Sequence, residues 1–193
     1  MKKIILATGN PGKVRELNAM LNGHYSVVSQ KDLQVKEIPE TGSSFIENAL
    51  IKARNASLQT KLPTLADDSG LEVEVLDGEP GIYSARYARE GATDEENVKK
   101  LLLNMEGHNN RKAHFCCAMV YINDEKNTLF TQGSIFLSDD SRETLNLGIG
   151  KRKLINDDTL LLGANLFYDH ELDYDHQRAS IGIEAISSVG SFR

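Results

Sequence analysis

No apolar stretch in this 193-residue chain approaches the ~20 residues needed to cross a bilayer as a helix. Cysteine is scarce: there are only Cys116 and Cys117. Neighbours in a strand point to opposite faces, which argues against a disulfide between them and removes any need for an oxidising compartment. An excess of basic charge is also missing. The formal net charge of −6 speaks against a broad nucleic-acid surface. It leaves room for a small phosphate ligand held by a few lysines and a divalent cation. After Met1-Lys2-Lys3 the apolar run Ile4 to Ala7 falls short of the ~7–15 residues of a signal-peptide core. The expected setting is cytoplasmic, with neither membrane nor nucleic acid as partner.

Two chemistries lack their signatures. His24, His108, His114, His170 and His176 show no metal-ligand spacing with the cysteines, which argues against zinc. Ser69 lacks the Gly-x-Ser-x-Gly elbow of a serine nucleophile. There is no internal repeat, low-complexity tract or clear linker, so one domain spanning residues 1–193 is expected.

What is present begins with Thr8-Gly9-Asn10-Pro11-Gly12-Lys13, which closes a short apolar strand and opens a helix. A helix start offers unpaired N–H groups and a partial positive charge, and Lys13 adds a full one. The segment therefore reads either as a phosphate site or as an ordinary strand-to-helix turn. It is not a Walker A loop, because only two residues separate Gly9 from Gly12.

The pattern alternates strand and helix, giving a mixed α/β fold. Residues 3–8 read as a strand and 13–22 as a helix with Val14, Leu17, Met20 and Leu21 on one face. Tyr25 to Ser29 is a strand, and 43–60 a helix capped by Ser43 or Ser44 with Phe45, Ala49, Ala53 and Ala56 at helical spacing. Leu62 to Ala66 reads as a strand ending at an Asp67-Asp68-Ser69-Gly70 turn, followed by a half-exposed strand through Leu71, Val73 and Val75. Thr93 caps a helix to about Asn104, and residues 113–123 and 128–136 form a hairpin. Beyond Phe136 no sustained periodicity is read.

Asp67 and Asp68 stand where ligand sites gather in α/β sheets, at a strand's carboxyl end. Read singly they are either a solvated turn or a site pair, and Glu40 is either a surface acid or a third carboxylate. Lys52 either reaches a phosphate or pairs with a neighbouring acid. Taken together, these residues suggest phosphoanhydride hydrolysis, with lysines on a polyphosphate and carboxylates on Mg²⁺.

Four ordered motifs then carry a resemblance. They are Leu6-Ala7-Thr8-Gly9-Asn10 with Gly12-Lys13; Glu40-Thr41-Gly42 followed by Phe45-Ile46-Glu47-Asn48-Ala49 and Lys52-Ala53-Arg54; Ala66-Asp67-Asp68-Ser69-Gly70-Leu71; and Pro80-Gly81-Ile82-Tyr83-Ser84-Ala85-Arg86-Tyr87. From Met1 to about Phe136 the chain resembles the inosine triphosphate pyrophosphatases, the non-canonical purine nucleoside triphosphate pyrophosphatases or XTP/dITP diphosphatases.

The resemblance implies an elongated α/β domain with a central mixed, curved sheet, flanking helices and a cleft between two lobes, assembled as a homodimer. It implies Mg²⁺-dependent hydrolysis of ITP, dITP and XTP to monophosphate and pyrophosphate. By the same resemblance, Thr8, Gly9, Asn10, Pro11, Gly12 and Lys13 hold the phosphates with help from Lys52, and Ser69 touches substrate. Glu40 and Asp68 organise metal with support from Asp67, and Asp68 is the base that activates water. Arg86 reads equally as a structural ion pair or a ligand contact.

The chain departs from the family in its last third. The Gly-Phe-Gly-Tyr-Asp-Pro motif, a following lysine and a Ser-His-Arg triplet are not found after Phe136. Phe167-Tyr168-Asp169-His170 and His176-Gln177-Arg178-Ala179 resemble fragments of them at too short a spacing, so no role is carried onto them. These motifs read the purine base in the family. The alternative reading is therefore a catalytically impaired nucleotide-binding homologue with a lost base pocket.

Overall fold

Apolar Ile4, Ile5 and Leu6 make the first strand a core element, and all three are buried. The computed structural model describes residues 2–8, 10–21, 24–124, 127–137, 144–155, 160–171 and 176–187. The first half follows the order β1 (Lys2–Leu6), α1 (Pro11–Met20), β2 (Tyr25–Ser29), α2 (Phe45–Thr60), β3 (Thr64–Val73) and α3 (Asp94–Asn104). Five antiparallel strands complete it: β4 (Ala113–Asp124), β5 (Asn127–Leu137), β6 (Thr144–Ile155), β7 (Leu160–Glu171) and β8 (His176–Ser187). All eight strands join one mixed sheet in the order β2-β1-β3-β4-β5-β6-β7-β8. Flanking helices complete the α/β fold expected from the sequence.

α2 is placed by its small residues. Ala49, Ala53 and Ala56 are fully buried and let the helix lie close against Ala66, Val120 and Ile122 of β3 and β4. Phe45, at its start, packs on Cys116 and Ala118, a burial worth about 2 kcal/mol. Ser44 caps the helix, accepting a hydrogen bond from the Glu47 N–H at 3.3 Å. α3 begins with a full capping box between Thr93 and Glu96. In α1 the predicted apolar face does not form a core contact: no residue of the helix is buried, and Met20 is 80% exposed.

Two expectations are corrected. Asp67-Asp68-Ser69-Gly70 is not a turn but the middle of β3, which runs unbroken to Val73. These four residues pair in antiparallel register with Met119, Ala118, Cys117 and Cys116 of β4. The ladder satisfies their backbone groups, so turn-forming composition loses to strand pairing. Val75 falls in a short 3-10 segment, Glu74–Leu76, rather than a strand. The second correction lies beyond Phe136. Three 12-residue strands stand there, paired in sequence with no helix packed substantially against them among the described residues.

Candidate active site

The cleft exists because β1 is short. β1 pairs with β3 only at Thr64 and Leu65, so β3 has no strand partner on that side from Ala66 onward. The chain leaving β1 turns there through Thr8 and Asn10 into α1. The result is a cavity of about 360 Å³ beside Asp67, Asp68 and Ser69, where backbone from both β1 and β3 meets α2.

α1 starts as the sequence suggests. The Asn10 side-chain oxygen accepts the Gly12 N–H at 2.8 Å, and Pro11, which has no N–H, takes the first helical turn. Asn10 N–H in turn donates to the Thr8 hydroxyl at 3.2 Å. Lys13 projects from the first turn and meets Asp67 with Nζ 2.5 Å from Oδ2. Gly9 lies outside the described residues.

Asp68 points the other way, toward α2. Asn48 and Lys52 are four residues apart and so share one helix face. Asn48 donates to Asp68 Oδ2 at 3.2 Å, and Lys52 Nζ lies 3.3 Å from Asp68 Oδ1 and 3.4 Å from Glu40 Oε1. The loop bearing Glu40 is tied to the same point, since Gly42 N–H donates to Asn48 Oδ1 at 2.8 Å. Asn48 is fully buried; it holds Asp68 directly and, through Gly42, the loop that carries Glu40. Burial pushes the Asp68 carboxyl above its ordinary range; Lys52 and the Asn48 hydrogen bond pull back, and Glu40 adds to the rise.

Thr8, Lys13, Glu40, Lys52, Asp67, Asp68 and Ser69 all line the one cavity. Sequence reading missed three more polar lining residues. Gln30 donates to Glu37 at 3.1 Å, and both face the cavity, as does Asn55 one turn beyond Lys52. Nothing in the local sequence marks Gln30; Glu37 stands three residues before Glu40 and could have been noticed beside it.

The donor chemistry suits a hard divalent cation. Glu40 and Asp68 converge on the Lys52 ammonium, so two carboxylate oxygens already meet around one positive charge. Among the described residues, no group of three or more His, Cys, Asp or Glu could hold a metal alone. Two such carboxylates can hold a hard divalent cation when substrate phosphates and water complete its coordination.

The Ham1 family profile matches residues 4–137. The chain belongs to the Ham1 family. The dITP/XTP pyrophosphatase of Vibrio parahaemolyticus is 56% identical over 128 residues, covering 65% of this chain and 64% of the relative. That of Escherichia coli K12 is 54% identical over 125 residues, with 63% and 64% covered. The chain thus spans just under two thirds of the length of these curated relatives. The Staphylococcus aureus Ham1 protein structure superposes with a TM-score of 0.67 at 36% identity, covering 73% of this chain and 74% of that one. A HAM1 protein from Coxiella burnetii gives 0.63 at 36%, with 80% and 73% covered. A second profile, the inverse autotransporter β-domain, matches residues 93–193 and overlaps the first over α3, β4 and β5. No described helix is long and apolar enough to cross a membrane.

Proposed function

We propose that this cleft hydrolyses non-canonical purine nucleoside triphosphates, ITP, dITP and XTP, to monophosphate and pyrophosphate with Mg²⁺, clearing them from the nucleotide pool. The observation that carries the proposal is the convergence of Lys13, Lys52, Glu40, Asp67 and Asp68 on one cavity at the end of β1. The names of the curated relatives support it.

In this reading Thr8, the Asn10–Gly12 helix start and Lys13 hold the phosphates, and Lys52 assists. Asp68 takes a proton from a water whose oxygen forms the new bond to the α-phosphorus. The bond from that phosphorus to the bridging oxygen breaks, and pyrophosphate leaves with the electron pair. Burial of Asp68 strengthens it as a base, which suits this role. Asp67 holds Lys13 in place, Asn48 aligns Asp68 with Glu40, and Ser69 touches the substrate. Glu40 and Asp68 would hold Mg²⁺, which when bound would neutralise phosphate oxygens. The reading carries a cytoplasmic homodimer with it, tested by cell fractionation and light scattering.

A specific observation favours the second reading, nucleotide binding with a lost base pocket. Among the described residues, the cavity is lined by positions between 7 and 86. Phe167-Tyr168-Asp169-His170 and His176-Gln177-Arg178-Ala179 lie on β7 and β8, where Asp169 is opposite Arg178, four and five strands beyond β3. Pyrophosphate release from dITP, dATP and dGTP, with Mg²⁺ and with chelator, separates the two. Metal-dependent release selective for dITP supports the first reading. Unselective release supports a lost base pocket, and no release from any triphosphate overturns the enzyme.

A further inference from the structure

The cavity contains three cations, Lys13, Lys52 and Arg86, against four carboxylates, Glu37, Glu40, Asp67 and Asp68. Both lysines are already committed: Lys13 to Asp67, and Lys52 to Glu40 and Asp68. Arg86 has no anionic partner among the described residues. Its recorded contact is with an aromatic ring, the guanidinium carbon lying 5.2 Å from the Tyr83 centroid. A cation–π contact of this kind uses the guanidinium's charge and leaves its N–H groups able to donate.

The segment that presents Arg86 is firmly held. Gly81–Arg86 is a 3-10 helix docked on β3 through Ser84. The Ser84 hydroxyl accepts the Leu71 N–H at 2.9 Å and donates to the Gly81 carbonyl at 2.6 Å. Gly70 allows this approach, since a Cβ there would stand 2.4 Å from the Gly81 oxygen. Arg86 is thus carried into the cavity by a braced wall, with its stacking partner three residues earlier in the same segment.

We propose that Arg86 is a polyphosphate clamp, a third cationic contact whose planar fork takes two phosphate oxygens at once. This rests on the reading of the cleft as a triphosphate site. The incoming chain brings several negative charges to a cavity whose lysines are already neutralised by its own carboxylates, and Arg86 is the cation that needs no existing pair to break. The structural-pair alternative for this residue has no partner acid among the described residues.

The test is calorimetric binding of inorganic tripolyphosphate, with its salt dependence and each variant's thermal midpoint. R86Q is expected to weaken binding about 10- to 100-fold and to flatten the salt dependence. R86K, which keeps the charge but lacks the fork, is expected to fall between R86Q and wild type. Binding by R86Q within twofold of wild type, at equal salt dependence, overturns the clamp and leaves the cleft reading standing. Wild type that binds no tripolyphosphate overturns both. If R86Q fails to unfold cooperatively, Tyr83→Leu carries the decision with R86K: a severalfold loss in each supports the clamp, and unchanged affinity in both overturns it.

Discussion

Asp67 and Asp68 are consecutive, yet their carboxylates serve opposite sides of β3: Asp67 meets Lys13 of α1, and Asp68 meets Asn48 and Lys52 of α2. Strand alternation makes this separation unavoidable once the pair lies inside β3 rather than in a turn. The two acids therefore perform different work, and their substitutions should not look alike.

Asp68→Asn is expected to reduce pyrophosphate release at least ~100-fold, the usual weight of a general base. Its thermal midpoint at neutral pH should not fall below wild type, because burial already disfavours the Asp68 charge. Asp67→Asn should instead raise KM more than it lowers kcat, because Lys13 loses the carboxylate that fixes its position. Steady-state kinetics on both variants check this, and full turnover by Asp68→Asn removes that residue from the mechanism.

The pH dependence follows from the same burial. A raised Asp68 pKa means the native state holds that proton more tightly than the unfolded chain does. Stability from this group is greatest below the ordinary carboxylate range and declines as pH rises from that range through the raised value. Activity should run the other way if Asp68 is the base proposed above, since it must then be ionised. The acidic limb of kcat/KM should lie above the ordinary carboxylate range and vanish with no other change of slope in Asp68→Asn residual activity.

Removing metal should abolish release, and chelator followed by excess Mg²⁺ should restore it. With two acids converging on Lys52 and no three-acid group among the described residues, Mg²⁺ alone should leave the thermal midpoint unchanged. Mg²⁺ with inorganic tripolyphosphate should raise it through linkage. A strong shift from Mg²⁺ alone would show a preformed site.

Asn48→Ala should cost about 1–3 kcal/mol, because it orphans the Gly42 N–H in a half-buried setting and removes a donor from Asp68. Urea denaturation measures the first effect. A drop in kcat beyond that expected from the folded fraction measures the second.

Legibility differed along the chain for physical reasons. α2 was readable because Phe45, Ala49, Ala53 and Ala56 keep helical spacing and all are buried. β2 was readable from Tyr25 to Ser29, the bounds observed. The Asp67–Gly70 stretch misled because its polar composition favours a turn, while the ladder to β4, formed by residues nearly fifty positions later, decides its conformation. Gly70 is there for the close approach of Gly81, which no local pattern reveals. In the last third, alternation was present at Leu145, Leu147 and Ile149, and again at Ala179, Ile181 and Ile183. Each run is only three apolar positions long, with Gly148 or Gly182 inside it, which falls short of a sustained strand signal. The cleft itself depends on β1 ending sooner than β3, a difference in strand length that neither sequence segment shows alone.

β6, β7 and β8 extend the sheet with hydrogen bonds but without a covering layer among the described residues, and Ile181 and Ile183 are 80% and 86% exposed. A ladder of that kind gains little from burial and should open from its outer edge inward, β8 before β7 and β7 before β6, while β3 and β4 stay closed beneath α2. Amide exchange would then record a gradient running toward the cleft. The half that carries the cleft would behave as an anchor and the meander as a fringe, so a mutation that melts the fringe should leave tripolyphosphate binding at the cleft intact.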